Sequence, residues 1–436
     1  MLTSRSRSLR RWAAASALSG LLLAGAAAAP AQAQSARSKQ WFLDAMKADQ
    51  MWQTSTGKGI TVAVIDTGVD ADHPDLKGRV LKGEDLATNK PGGQHTDYDG
   101  HGTNMAGLIA GSGSNAGGTG AFGLAPGARI LPVRLPRSEG LTQTQGNKQL
   151  IGAVAKGIRY AADAGAQVIN ISQGATAGST QLSSAVRYAL NKGSLIFAAV
   201  GNSGNAGNLT EYPAATPGVV GVAAVGKDLK RTEESEYGPQ VDMAAPGEDM
   251  VAACTSKTHL CRGHGTSDAT AIASASAALI WSAHPKWTNN QVLRVMLNTI
   301  GAPVDGSKRT NSIGYGIVRP RVALKNPGDP GPANKYPLPD LAAATPSSSP
   351  SAGAAGSSKT DEAQKPDDST TSNKQSSNTG LWVGLGIGAA VLLGVVAVFA
   401  VVRSRRRSQA ASTRPAQAGP FPYPDEHARF NTRGGK

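Results

Sequence analysis

Three short stretches carry side chains that can do chemistry together: Asp66-Thr67-Gly68, Gly100-His101-Gly102-Thr103 and Gly265-Thr266-Ser267. A serine hydroxyl is a weak nucleophile until a base takes its proton. An imidazole base in turn needs a carboxylate to fix its tautomer and to balance the imidazolium that forms. Asp66, His101 and Ser267 supply one group of each kind. Taken singly, each also has a plainer reading. Asp66 suits a strand-end carboxylate capping a turn, and Ser267 a helix N-cap. The tetrapeptide Gly-His-Gly-Thr occurs twice, at 100–103 and 263–266, so there are two candidate bases. His264 stands three residues before Ser267 and would have to fold back over its own helix turn to serve it. His101 comes from a separate element and is the expected base, with His264 a loop residue near the rim. His73, His95, His259, His284 and His427 lack the glycine setting.

The elements that must position these groups are legible as short, nearly continuous apolar runs at 60–65, 168–171, 195–199 and 219–225. Runs without polar alternation predict strands buried on both faces, as in a parallel sheet covered by helices. The three-to-four spacing of Leu150, Ile151, Val154, Ile158 and Ala161 predicts a helix over 149–164, ending at Gly165. Strand and helix alternate, so the expected class is α/β, a mostly parallel sheet with helices on both faces. Asp66 then falls at the carboxyl end of a buried strand, where ligands and catalytic groups gather in such sheets.

The order Asp, His, Ser is that of subtilisin rather than of chymotrypsin or the α/β-hydrolases. With the motifs above, the chain from Trp41 to about Leu324 resembles the subtilisin-like serine proteases. The resemblance implies that fold, a serine endopeptidase acting on protein or peptide substrates, and a triad of Asp66, His101 and Ser267. It also implies an oxyanion hole of Asn202 and Ser267, and substrate binding by Ser172, Gln173, Gly174 and Gly201. Tyr212-Pro213-Ala214 resembles a family loop near the specificity pocket. No cofactor is implied. A structural calcium is common in the family, but only Asp75 matches one of its ligand positions. Three residues depart from the pattern: Asp268 after the serine, Ala271 where proline is usual, and Asn104 in place of a second histidine.

The flanks have their own composition. Residues 1–33 hold Arg5, Arg7, Arg10 and Arg11, then an Ala/Leu-rich run, then Ala31 and Ala33. This is the layout of an export signal, of the general secretory type or, through Arg10-Arg11, the twin-arginine type. The protease domain is expected over 34–326. Residues 327–380 are rich in Pro, Ser, Ala and Gly and predict a disordered stalk. At 381–402 an uncharged apolar run spans ~33 Å as a helix, enough for one transmembrane crossing. Arg403, Arg405, Arg406 and Arg407 begin the tail 403–436 and place it in the cytoplasm. The expected location is therefore the cell membrane, single-pass, with the catalytic domain outside.

The net charge is +14, and leader and tail together carry +10 of it. The folded part lacks the concentrated basic charge of a nucleic-acid-binding surface, which excludes nucleic acid as partner. Cys254 and Cys261, with six residues between them, fit a disulfide in an oxidising exterior, or else two buried thiols. Only a few residues separate Ala33 from Trp41, leaving no room for a long inhibitory pro-segment. Leader, subtilisin-like domain, stalk, anchor and basic tail in this order resemble the mycosins, the membrane-anchored serine proteases of type VII secretion systems. That resemblance implies the membrane components of such a system as partners. A structural role in the secretion complex, with dispensable proteolysis, is the alternative.

Overall fold

The computed structural model describes residues 35–344, Asn89 excepted. Its centre is a sheet of seven strands among the described residues: β1 (Thr61–Asp66), β2 (Glu84–Asp85), β3 (Arg129–Arg134), β4 (Val168–Ile171), β5 (Leu195–Ala199), β6 (Val220–Val225) and β7 (Met243–Pro246). They lie in the order β2-β3-β1-β4-β5-β6-β7, and every pairing is parallel. Successive side chains of a strand point to opposite faces. Val62 and Val64 therefore join one apolar core, and Ala63 and Ile65 join the other. The first core is closed by α1 (His101–Ala110), α4 (Thr266–Ala283) and α5 (Asn289–Asn298). The second is closed by α2 (Gln143–Asp163) and α3 (Thr180–Asn191). An antiparallel hairpin, β8 (Met250–Ala253) and β9 (Leu260–Gly263), leads directly into α4.

The sheet and its two helical layers are as the apolar runs predict, but several elements lie beyond them. α2 begins at Gln143, six residues before the expected start, because Thr142 and Gln145 form a reciprocal capping box. β3 was hidden by Pro132, since a proline argues against a central strand. It is tolerated because its nitrogen lies on the β2 side. Ile130, two residues earlier, exchanges hydrogen bonds there with Arg79 and Leu81, so no ladder bond to β1 is lost.

The expected C-terminal features need correction. The disordered stalk does not begin at 327. Residues 327–344 run along α5, where Arg294 donates to the carbonyls of Pro330 (2.7 Å), Pro332 (3.0 Å) and Lys335. Leu338 is buried and Tyr336 donates to the Gly218 carbonyl at 3.0 Å. Composition argued for disorder, but polar side chains at the start of α5, among them Asn290 and Gln291 donating to the carbonyls of Ala333 (2.8 Å) and Gly331 (3.0 Å), join Arg294, Tyr336 and Leu338 in holding the segment. The architecture also has no membrane-crossing helix among its described residues, since none is long and apolar enough. α4 is long, but it carries Thr270, Ser274 and Ser276 and is packed into the first core. The leader 1–33, the run 381–402 and the tail 403–436 lie outside the described residues.

Candidate active site

β1 ends in Asp66, whose carboxylate is fully buried at the C-terminal edge of the sheet. Oδ1 accepts from the Thr67 N–H (2.8 Å) and from His101 Nδ1 (2.7 Å). His101 is the first residue of α1, and its ring remains 25% exposed while Asp66 is at 0%, so the imidazole looks outward from a dry carboxylate. α1 can come this close because residue 102 is glycine. A Cβ there would lie 2.1 Å from the Gly68 carbonyl oxygen.

A residue that the motifs did not single out ties this pair together. Asp97 Oδ1 accepts from Thr67 Oγ1 and the Gly100 N–H, each at 2.8 Å, and Oδ2 accepts from the N–H and the hydroxyl of Thr103, each at 2.7 Å. One carboxylate thus fixes the turn after Asp66 and the first turn of α1. The signal was an Asp just ahead of a glycine-started helix, a place where acidic side chains satisfy free N–H groups.

Burial of the His101 ring would lower its pKa, but the charge and hydrogen bond of Asp66, helped by the charges of Asp268 and Asp97, raise it above the ordinary imidazole value. Asp268 is buried in the first turn of α4. Ser267, one residue earlier, is half-buried, and its hydroxyl donates to the Ser172 carbonyl at 3.3 Å. In this rotamer no hydrogen bond joins it to His101 among the described residues. Catalytic hydrogen bonds are often loose without substrate and tighten when it binds. The adjacent Gln173 closes the circle: its Nε2 donates to Asp66 Oδ1 at 3.4 Å and lies 3.4 Å from His101 Nδ1. Ser172 and Gln173 therefore bring the serine and the Asp–His pair to one crevice.

Asn202 follows β5, and its Oδ1 accepts from the Thr266 N–H (2.9 Å) and hydroxyl (3.1 Å). The amide is thereby oriented, and Nδ2 is left for another acceptor. The Ser267 N–H belongs to the first turn of α4, whose N–H groups have no partner within the helix. Two donors beside one serine can hold a developing oxyanion. Residues 172–174 run past the end of β4, and neither Gln173 nor Gly174 makes a backbone hydrogen bond among the described residues. Such a segment is open to an added strand. A separate groove of ≈ 540 Å³ lies between α2 and residues 176–181.

The other candidates fall elsewhere. His264 is exposed on the rim and pairs with Glu234 at 3.4 Å. Cys254 and Cys261 form a disulfide across the β8–β9 hairpin. The surroundings of Asp75 do not fit calcium. Its two carboxylate oxygens accept from the N–H groups of Asn115 (2.7 Å) and Ala121 (3.0 Å), and no cluster of three or more His, Cys, Asp or Glu surrounds a metal position among the described residues.

Comparison with known proteins agrees with this geometry. Residues 57–317 match the Subtilase family. Thermitase of Thermoactinomyces vulgaris is 40% identical over 246 residues, 56% of this chain and 83% of thermitase. The crystal structure of MycP1 from the ESX-1 type VII secretion system is similar with a TM-score of 0.60 and 28% identity, covering 70% of this chain and 90% of MycP1. A chain of the periplasmic assembly of the ESX-5 inner membrane complex is similar with a TM-score of 0.59 and 28% identity, covering 68% of this chain and 86% of that one. The mycosin resemblance read from the sequence is thus matched in three dimensions.

Proposed function

Because the chain belongs to the subtilase family and is a serine endopeptidase, we propose that it acts outside the cytoplasm at the membrane, cleaving protein substrates of a type VII secretion system. In this reading Ser267 is the nucleophile, His101 the base and Asp66 its orienting carboxylate. The Ser267 Oγ–H proton passes to His101 Nε2 as Oγ bonds to the scissile carbonyl carbon. The negative oxygen that results is held by Asn202 Nδ2 and the Ser267 N–H. The imidazolium then gives its proton to the departing amine as the C–N bond breaks. Water, deprotonated by the same imidazole, releases the acyl group from Ser267. Ser172, Gln173 and Gly174 hold the substrate backbone as an added strand, and Gly201 lines the opposite wall.

The observation that carries this reading is the 2.7 Å Asp66–His101 pair opening onto the crevice that also holds Ser267 and the free face of the Asn202 amide. The disulfide supports an oxidising location. Likeness to the type VII proteases supports the secretion link and partners among the membrane components. A second reading, a structural subunit of the secretion complex, draws on Asp268 and Ala271 beside the nucleophile and on the likeness to a chain of an assembled complex. The test is labelling by a serine-reactive fluorophosphonate, compared between the native chain and Ser267→Ala, with secretion followed in the same variant. Labelling lost with Ser267→Ala is expected. Folded native protein that takes no label would overturn the catalytic reading. Secretion that survives Ser267→Ala would assign the essential role to structure.

A further inference from the structure

Two glycines stand just beyond the carboxyl ends of neighbouring strands, one next to Gln173 and the other next to Asn202. Gly174 follows β4 and Gly201 follows β5, and these strands are neighbours in the sheet. If the acyl carbon sits at Ser267 with its oxygen on Asn202, the side chain on the N-terminal side of the scissile bond enters between them. A carboxylate stands behind each glycine. A Cβ on Gly174 would lie 2.4 Å from Glu211 Oε2, and a Cβ on Gly201 would lie 2.4 Å from Glu236 Oε1. Backbone pairing holds both acids there. The Glu236 N–H donates to the Gly201 carbonyl at 3.0 Å, and Tyr212, next to Glu211, exchanges hydrogen bonds with Ala175 at 2.8 and 2.9 Å.

These carboxylates are not neutralised from within. Glu236 is at 0% exposure; its Oε1 accepts from Ser203 Oγ at 2.6 Å, while Oε2 is buried with no hydrogen-bond partner. Glu211 is half-buried and its carboxylate makes no hydrogen bond among the described residues. Burial pushes both up to about 7, and the charge of Glu236 adds to the effect on Glu211. Burying a carboxylate is costly unless a donor or a cation meets it, and a buried oxygen without a partner calls for one. None of the described residues supplies a cation to either acid.

We propose that the space between Gly174 and Gly201 takes a lysine or arginine side chain from the substrate, its cation received by the half-buried Glu211 with the buried charge of Glu236 behind it, so that cleavage follows a basic residue. The chemistry is that of a buried carboxylate setting specificity for the same residue in trypsin. The proposal rests on the protease reading above.

The full chain is first titrated with a fluorophosphonate to count active sites. It is then given fluorogenic peptides that differ only at the residue before the cleaved bond: Arg, Lys, Leu, Phe or Glu. Arg and Lys peptides should exceed Leu and Phe in kcat/KM by ~10²-fold, the worth of one buried charge pair. Glu211→Gln and Glu236→Gln should each reduce that preference by ~10-fold or more. With the native chain alone, benzamidine should inhibit competitively and neutral benzamide should not, which covers a variant that fails to fold. Labelled enzyme that prefers Leu or Phe, or ignores benzamidine, overturns the pocket assignment and leaves the protease reading standing. No labelling at all overturns both.

Discussion

Asp268 directly follows Ser267, the proposed nucleophile, and its buried charge reaches His101. Catalysis needs the neutral imidazole, so the rate climbs as pH rises through the His101 pKa. Burial lowers that pKa, but Asp66, Asp268 and Asp97 together raise it, which places the climbing limb on the alkaline side of an ordinary histidine. Removing one of these anions lowers it again. Asp268→Asn should therefore shift the rising limb of kcat/KM to lower pH; an unmoved limb would show that the charge does not reach the ring. The same shift has a stability side. A histidine raised in the folded state contributes stability fully below its unfolded value, ~6.5, and loses it as pH rises through the folded value. Asp97 acts through position rather than contact with substrate. Its four short hydrogen bonds set the turn after Asp66 and the start of α1. Small misplacements of a catalytic group cost ~10²-fold in rate. Asp97→Ala should lower kcat by about that factor with KM little changed; a rise in KM with kcat intact would mean it serves binding instead.

Elements turn those residues into a site, and the last to do so is the β8–β9 hairpin. β9 ends at Gly263, and α4, bearing Ser267, begins at Thr266. The Cys254–Cys261 bridge closes that hairpin, seven residues apart in sequence. Loop-closure entropy for so short a loop gives ~2.5 kcal/mol at most. Reduction, or Cys254→Ser with Cys261→Ser, should lower Tm by ~5 °C and lower activity through the approach to Ser267. Melting and activity that ignore the reductant would mean the bridge stabilises neither. What was legible at this scale follows from burial. Strands covered on both faces announce themselves as Val/Ile/Ala runs, so β1, β4, β5 and β6 stood out. β3 did not, because whether Pro132 breaks a strand depends on which neighbour its nitrogen faces. The three motifs of the proposed triad were legible because they are local and their order is informative. Asp97, Glu211 and Glu236 were not, since a carboxylate's role depends on what its oxygens meet. Glu211 and Glu236 stand 25 residues apart and converge only through the Tyr212 and Gly201 pairings.

Across the whole domain, the two ends of the sheet serve different purposes. The proposed catalytic groups gather at the C-terminal ends of β1, β4 and β5. At the other end, the strap 327–344 fastens the entry to β6. Gly218, just before that strand, is held by Tyr336 through its carbonyl at 3.0 Å and by Asp340 through its N–H at 2.7 Å. Leu338 between them is only 2% exposed and packs into the first core. Truncating a buried leucine costs ~2–5 kcal/mol in lost transfer energy and residual cavity. Because site and strap lie at opposite ends of parallel strands, stability and catalysis should separate here. Leu338→Ala should lower Tm by several degrees while kcat/KM at 25 °C, per fluorophosphonate-titrated site, stays near the native value. An unchanged Tm would show that the strap merely lies on the surface. A kcat/KM loss in well-folded variant protein would show instead that strain at the entry of β6 is transmitted along the strand to the neighbouring β5 and Asn202.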